Sequence, residues 1–196
     1  MQEMKTYFIK EGYKVRLENM FYNDTNMKDE WQKEVYEYAR FQFNLQNLKS
    51  VWDIGTGSGY KLLKNFGDIK TLGTDLTPTV NWLRATYPNR DWSDSFDVFP
   101  NYDMIICSDV IEHIPDPDPL LDTIEAAKPK LIVFSTPERM LFQRGHDGPP
   151  DNVCHVREWT LEEFGRYIDS RFQVLDHFIS NRAQATQCLL AKTRDS

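Results

Sequence analysis

The stretch SVWDIGTGSGY, Ser50 to Tyr60, drives an apolar run into an acid and then spaces three glycines two residues apart. A short strand that ends in an acid and a glycine turn, followed by the helical pattern YKLLKNF, opens an α/β unit. Sheets built from such units hold ligands at the carboxyl ends of their strands. Without a side chain, Gly55, Gly57 and Gly59 can take positive φ and let backbone N–H groups approach a ligand, while the helix starting near Tyr60 lends its positive end. Three ligand classes compete for such a loop. A P-loop is excluded because no Gly-Lys-Ser/Thr follows. A dinucleotide fingerprint wants G-x-G-x-x-G, but the sixth position is Tyr60 and the third glycine comes one residue early. What remains is D-x-G-x-G-x-G, in which Asp53 precedes the glycines and can face a cationic ligand.

The alternation continues along the chain. DEWQKEVYEYARFQFNLQNL places Trp31, Val35, Tyr38 and Leu45 at near-helical spacing, with Asp29 and Gln32 in a capping-box pattern. SVWDIG, IKTLGTD, YDMIICSDV and KLIVFSTPE read as strands, a further short strand is expected between Arg90 and Asp94, and FQVLDHFI and ATQCLLAKT close the sheet. LTPTVNWLRATY starts with Thr77 as N-cap and Pro78 at the first helical position. PLLDTIEAA is helical, and TLEEFGRYIDS opens on a second capping box, Thr160 with Glu163. The expected architecture is a Rossmann-like, doubly wound α/β fold with a mostly parallel seven-stranded sheet. It forms one domain over residues 49–196, preceded by an N-terminal segment and helix, 1–48.

Composition narrows the partners. A chain of 196 residues suits one domain with a real core. A net charge of -7 argues against a surface built to hold DNA or RNA, which needs clustered Lys and Arg. Cys107, Cys154 and Cys188 are far apart with no C-x-x-C spacing, so a reduced compartment is expected and zinc is not. No apolar run approaches the roughly 20 residues needed to span a bilayer, and the N-terminus lacks a signal-peptide core. The expectation is a soluble cytoplasmic protein.

On these motifs the chain resembles the class I S-adenosylmethionine-dependent methyltransferases, from about Val51 onward. The resemblance implies S-adenosylmethionine as cofactor. Asp53, Gly55, Thr56, Gly57 and Gly59 match the first motif, which wraps the methionine end. Asp75, 22 residues beyond Asp53 at the end of the second strand, matches the acid that binds both ribose hydroxyls, with Leu76 beside it. Asp94 resembles the acid after the third strand that contacts the adenine amino group, with Ser95 and Phe96 as flanking cofactor contacts, and Ser108 ends the fourth strand. CSDVIEHIPDP and HVREWTLEEFGRYIDSRFQVLDH are similar to two late segments of the ubiquinone- and sterol-type subgroup. The GPP…HVREW loop also looks like methyltransferases of surface-polysaccharide pathways.

Methyl transfer from a sulfonium needs donor and acceptor held in line, water excluded and the acceptor's proton discharged, and no metal is required. His113, beside Glu112 after the fourth strand, is the first candidate base. His146, with Asp147 to orient it, is the second. The long segment from Pro137 to Trp159 is expected to face the acceptor. It carries Arg139 and Arg144, suited to a phosphate, carboxylate or nucleotide-linked group, together with Asp147 and His155. The aromatic N-terminus, Tyr7 to Tyr22, is a candidate lid. The expected acceptor is a small polar molecule methylated at oxygen, a sugar or a nucleotide-linked or phosphoramidate precursor of a surface polysaccharide. The alternatives are an NAD-dependent oxidoreductase and a cofactor-binding subunit without chemistry.

Overall fold

The computed structural model describes residues 5–18, 20, 22–25, 31–97, 99, 101–142 and 146–194. Asp29 of the first capping-box pattern, Arg144 and Gly145 lie outside the described residues.

Among the described residues, seven strands form one sheet: β1 (Ser50–Ile54), β2 (Lys70–Thr74), β3 (Asp91–Ser93), β4 (Met104–Ser108), β5 (Leu131–Pro137), β6 (Phe172–Asn181) and β7 (Thr186–Thr193). Their order is β3-β2-β1-β4-β5-β7-β6, and only β7 runs antiparallel to its neighbours. This is the mostly parallel, doubly wound sheet that the strand–helix alternation implies. MIICS and LIVFSTP are buried along their whole length, as central strands covered on both faces must be. The two-residue period sorts their side chains. Ile105, Cys107, Ile132 and Phe134 enter one core layer with Trp159, Phe164 and Phe172, while Met104, Ile106, Leu131 and Val133 enter the other with Phe43, Phe66 and Leu83. Chain order reverses between β1 and β4, and the strand ends there leave a crevice.

Among the described residues, six α-helices cover the sheet: α1 (Lys33–Leu45), α2 (Tyr60–Phe66), α3 (Thr77–Thr86), α4 (Asp118–Ala127), the single turn α5 (Arg139–Phe142) and α6 (Leu161–Asp169). On α1 the buried stripe is Val35, Tyr36, Ala39 and Phe43, with Trp31 and Leu45 left exposed. The stripe is rotated from the expected one because the Tyr36 hydroxyl reaches into the sheet to Asp53. Leu76, not Thr77, is the N-cap of α3, and Pro78 is its second helical residue. The Thr77 hydroxyl donates instead to Asp94 Oδ2 at 3.0 Å. The Thr160–Glu163 capping box of α6 is present with both bonds.

The segment ahead of α1 is laced to the loop after α5. Lys14 N–H donates to the Asp147 carbonyl, Arg16 N–H to Val156 and Met20 N–H to Val153. Trp159 Nε1 donates to the Tyr7 carbonyl at 2.9 Å, and the Arg157 guanidinium lies 4.5 Å over the Tyr7 ring. These bonds bring Met20, Tyr22 and Asp24 to the crevice. Among the described residues, no helix is long and apolar enough to cross a membrane.

Candidate active site

Two adjoining cavities occupy the crevice. The larger, about 710 Å³, is lined by Gly55, Asp75, Leu76, Phe96, Asp109, Val110, Ile114 and Leu120, with Met20, Tyr22 and Asp24 from the N-terminal segment. The smaller, about 200 Å³, is lined by Thr56, Ser108, Asp109, Glu112, His113, His155, Asn152, Gln32 and Gln184 among others. Gly55, Asp109 and His113 border both.

The glycine loop is shaped by contacts as well as by torsion. Gly55 and Gly57 have φ of 72° and 54°, a region closed to most side chains. A Cβ on Gly55 would stand 2.2 Å from Val110 Cγ2, and one on Gly57 would stand 1.8 Å from Asp24 Oδ2. Gly59 serves packing, since its missing Cβ leaves room for Trp92 and Leu83. Asp75 holds the loop from below. Its Oδ2 accepts the Gly57 N–H at 2.8 Å and its Oδ1 the Leu76 N–H at 2.7 Å, so each oxygen keeps lone-pair capacity toward the larger cavity. Burial pushes the Asp75 carboxyl up, against those backbone bonds and the nearby Thr79 hydroxyl.

Asp53, which the sequence suggests for a ligand contact, lines neither cavity. It is fully enclosed and accepts hydrogen bonds from Tyr36 Oη (3.0 and 3.1 Å) and Thr56 Oγ1 (2.8 Å), so it orders the loop through Thr56. Burial pushes its carboxyl up to about 7, the two hydroxyl bonds resisting. A folded-state pKa above the unfolded value of 3.8 means that the fold holds a proton the unfolded chain has lost. Stability therefore falls as pH rises from about 4 to about 7 on account of this residue. Asp53→Asn is expected to flatten that part of the melting-temperature profile, measured by thermal scans from pH 4 to 8. An unchanged slope would refute the proton on Asp53.

The acceptor candidates separate sharply. Ser108 Oγ lies 2.8 Å from Ser135 Oγ, which in turn donates to Asp109 Oδ1 at 2.7 Å, and Gln32 Nε2 donates to Asp109 Oδ2 at 2.6 Å. Asp109 takes a positive φ of 52°, a conformation Asp tolerates, and this turns its carboxylate to the crevice. The following turn, Ile111–His113, carries Glu112 and His113 inward. His113 Nδ1 must donate to the Cys154 carbonyl at 2.7 Å, leaving Nε2 as the lone-pair nitrogen. Burial lowers its pKa to about 4, with His155 adding to the shift, so the ring is neutral. The His155 ring stands 4.7 Å away, nearly perpendicular. Asn152 Nδ2 donates to its Nε2 at 3.0 Å, while its Nδ1–H meets Glu158 Oε1 at 2.6 Å. Burial lowers His155 to about 4 and raises Glu158 to about 8, so the pair is neutral.

Glu112 is fully buried, and among the described residues neither carboxylate oxygen has a hydrogen-bond partner. Burial, then the charge of Asp109, pushes its carboxyl well above the usual range. Its own backbone N–H and then the Thr136 hydroxyl oppose this from nearby without hydrogen-bond geometry.

Other expected site residues lie elsewhere. Arg139 lines neither cavity: it is 2% exposed, its Nη2 donates to Glu163 Oε1 at 2.8 Å and its Nη1 to the Glu158 carbonyl. A guanidinium taken from water needs such a partner, and the α6 capping box supplies it. His146 and Asp147 stand on the outer surface, outside both cavity linings, His146 against Asp151 and Asp147 paired with Lys10. Asp94 also lies outside both linings, held by Thr77 and Arg84, and Ser95 closes a turn with Asp97. Phe96, two residues on, is the side chain that reaches the larger cavity. Asp109, Tyr36, Asn152 and Glu158 were not foreseen. Asp109 lies within CSDVIEH and Asn152 within the long loop, whereas nothing local to α1 marks Tyr36.

A glycine loop, an acid closing the second strand and a crevice at the reversal of strand order define a ligand-binding protein of the doubly wound α/β class. Within that class, a family model described as "Methyltransferase domain" matches residues 24–186, and the chain belongs to this family. No curated protein matches the chain. Solved structures share the fold at low identity. The 1,6-didemethyltoxoflavin-N1-methyltransferase of Burkholderia thailandensis, with bound 1,6-didemethyltoxoflavin and S-adenosylhomocysteine, is 18% identical with a TM-score of 0.65, over 88% of this chain and 84% of that one. A SAM-dependent methyltransferase from Aquifex aeolicus is 16% identical with a TM-score of 0.64, over 89% and 100%. The N-methyltransferase NodS of Bradyrhizobium japonicum, in complex with S-adenosylhomocysteine, is 11% identical with a TM-score of 0.64, over 88% and 95%. The chain spans only 55% of TnmH and 27% of the small RNA methyltransferase HEN1, both of which share its fold.

Proposed function

We propose that the chain transfers a methyl group from S-adenosylmethionine to an oxygen of a small, neutral, hydroxyl-rich acceptor of the sugar class. The donor supplies a methyl group already activated on a sulfonium, so the chain must bind, align, exclude water and dispose of the acceptor's proton. The single observation that carries the donor assignment is the Asp75 carboxylate. It stands at the edge of a 710 Å³ cavity with a backbone N–H on each oxygen and a lone pair left on each for the two ribose hydroxyls. Leu76, Phe96 and Val110 offer an apolar slot for the base, and Gly55, which borders both cavities, lets the amino-acid end approach the backbone. The residues present therefore fit the donor. The N-terminal segment is proposed to act as the lid, since Met20, Tyr22 and Asp24 wall the cavity from outside.

The smaller cavity is the proposed acceptor end. Its hydrogen-bonding groups, Gln32, Asp109, Asn152 and Gln184, suit hydroxyls. With Arg139 buried and Asp24, Asp109 and Glu112 along the walls, the lining favours a neutral acceptor over the phosphate- or phosphoramidate-bearing one. Among its described residues Lys61 is the only Lys or Arg. Association with surface-polysaccharide synthesis rests on the sequence resemblance alone. His113, with Nε2 as its lone-pair nitrogen beside both cavities, is the residue that organises proton removal.

Asp75→Ala is expected to weaken binding of S-adenosylhomocysteine at least about tenfold in calorimetry, since charge-assisted bonds to two hydroxyls are worth about 1.5–3 kcal/mol each. Equal affinity in a folded variant would mean that Asp75 only ties the loop. The acceptor class is tested by transfer of radiolabelled methyl from the donor into a fractionated extract, where label in neutral saccharides is the expected result and label confined to anionic fractions overturns it.

A further inference from the structure

We propose that Glu112, His113 and His155 hold a divalent first-row transition-metal ion at the acceptor end of the crevice. One potential ligand atom from each residue lies within 4.8 Å of the other two. Three atoms bound tetrahedrally to one ion at 2.0–2.2 Å stand about 3.3–3.6 Å apart, so side-chain shifts of up to about 1.5 Å draw the set onto the ion. Glu112 is the independent sign of a missing ligand. It is fully buried, it lines the smaller cavity, and neither oxygen has a hydrogen-bond partner among the described residues, a costly state for a carboxyl.

The imidazoles are already arranged as metal ligands are, each with its remote N–H engaged by a fixed acceptor. His113 Nδ1 meets the Cys154 carbonyl and His155 Nδ1 meets Glu158 Oε1. Asn152 Nδ2, now 3.0 Å from His155 Nε2, is the group a cation displaces. Two imidazoles and one carboxylate select Mn, Fe, Co or Zn over magnesium or calcium, which prefer all-oxygen cages. The set leaves coordination positions toward a cavity also lined by Asp109 and Gln32, where an acceptor hydroxyl can enter. Sequence spacing hides the set, because His155 lies 42 residues beyond His113.

Binding of the ion stands on geometry alone, whereas its task rests on the methyl-transfer reading. There the ion takes over the part given to His113 as base: it holds the acceptor oxygen and eases loss of its proton to solvent, while His113 holds the ion. The oxygen lone pair forms the new bond to the methyl carbon, and the carbon–sulfur pair stays on sulfur.

The test titrates the chelator-stripped full chain with Mn²⁺ and Co²⁺ by calorimetry, and separately with S-adenosylhomocysteine. One ion per chain is expected, with affinity reduced at least about tenfold in Glu112→Gln and His155→Gln and donor affinity within twofold of the wild type. In the unmodified chain, Zn²⁺ is expected to shift the imidazole ¹⁵N signals of His113 and His155 and to leave His177 in place, a readout that stands if a variant fails to fold. No ion binding, or binding that neither variant weakens and that leaves both imidazole signals unmoved, overturns the proposal. Loss of donor binding in the unmodified chain would instead overturn the function proposed above and leave the metal result standing.

Discussion

Gly57→Val is expected to yield a folded chain that binds S-adenosylhomocysteine at least about a hundredfold more weakly, a loss of about 2.7 kcal/mol. Two effects converge. A β-branched residue is strained at φ 54°, by about 1–2 kcal/mol or more, so the loop relaxes toward negative φ and swings its N–H away from Asp75 Oδ2. Asp75 then loses the bond that aims its carboxylate at the cavity. The added Cβ also falls 1.8 Å from Asp24 Oδ2, so the Asp24 side chain that walls both cavities is pushed out of place. Calorimetry reads the affinity and circular dichroism the fold. Normal donor binding in a folded Gly57→Val chain would take the glycine loop out of the site. Gly59→Ala separates the two kinds of glycine. Its Cβ would press on Trp92 and Leu83 in the core, so that variant should lose stability first.

What the sequence reveals about this fold and site follows how local each cause is. Strand and helix order was legible because the two-residue and helical periods are written in adjacent residues. MIICS and LIVFSTP, buried along their length, could hardly serve as anything but central strands. The glycine loop and Asp75 were legible for the same reason, since the loop's torsions and the acid's backbone partners lie within one β-α-β unit. Charged and aromatic side chains were misjudged where their partners come from elsewhere. Arg139 reads as an anion receptor in isolation, and only α6, 24 residues on, reveals Glu163 as its counter-ion. Asp53 reads as a ligand contact until Tyr36, from a helix 17 residues earlier, takes its oxygens. His155 and His146 occupy one loop with similar surroundings in sequence, yet one is buried beside His113 and the other stands in solvent. No periodicity separates them, because the difference is made by Cys154 and Val156 docking on the Glu112–His113 turn.

That docking sets up the other large effect. His113→Ala is expected to lower kcat by roughly 10²–10⁴ while leaving donor affinity within twofold, because its ring is held by the Cys154 carbonyl, whereas the glycine loop and Asp75 are held by each other. The split between kcat and donor binding distinguishes a site role from simple loss of fold. Whether the lost group is a base or a metal ligand is read by rescue. If His113 ligates an ion, the variant keeps Glu112 and His155, and millimolar Mn²⁺ should recover part of the rate by mass action. If His113 is the base, added cation does nothing, and free imidazole entering the space left by the ring should recover it instead. The metal-binding geometry predicts that any rescue, with or without imidazole, requires the cation and is abolished by a chelator. It also predicts that a chelator slows the unmodified enzyme to the level of the variant. A His113→Ala enzyme with nearly full turnover would exclude both roles and move the chemistry away from the Glu112–His113 turn, leaving His155 with Asn152 as the histidine still facing the smaller cavity.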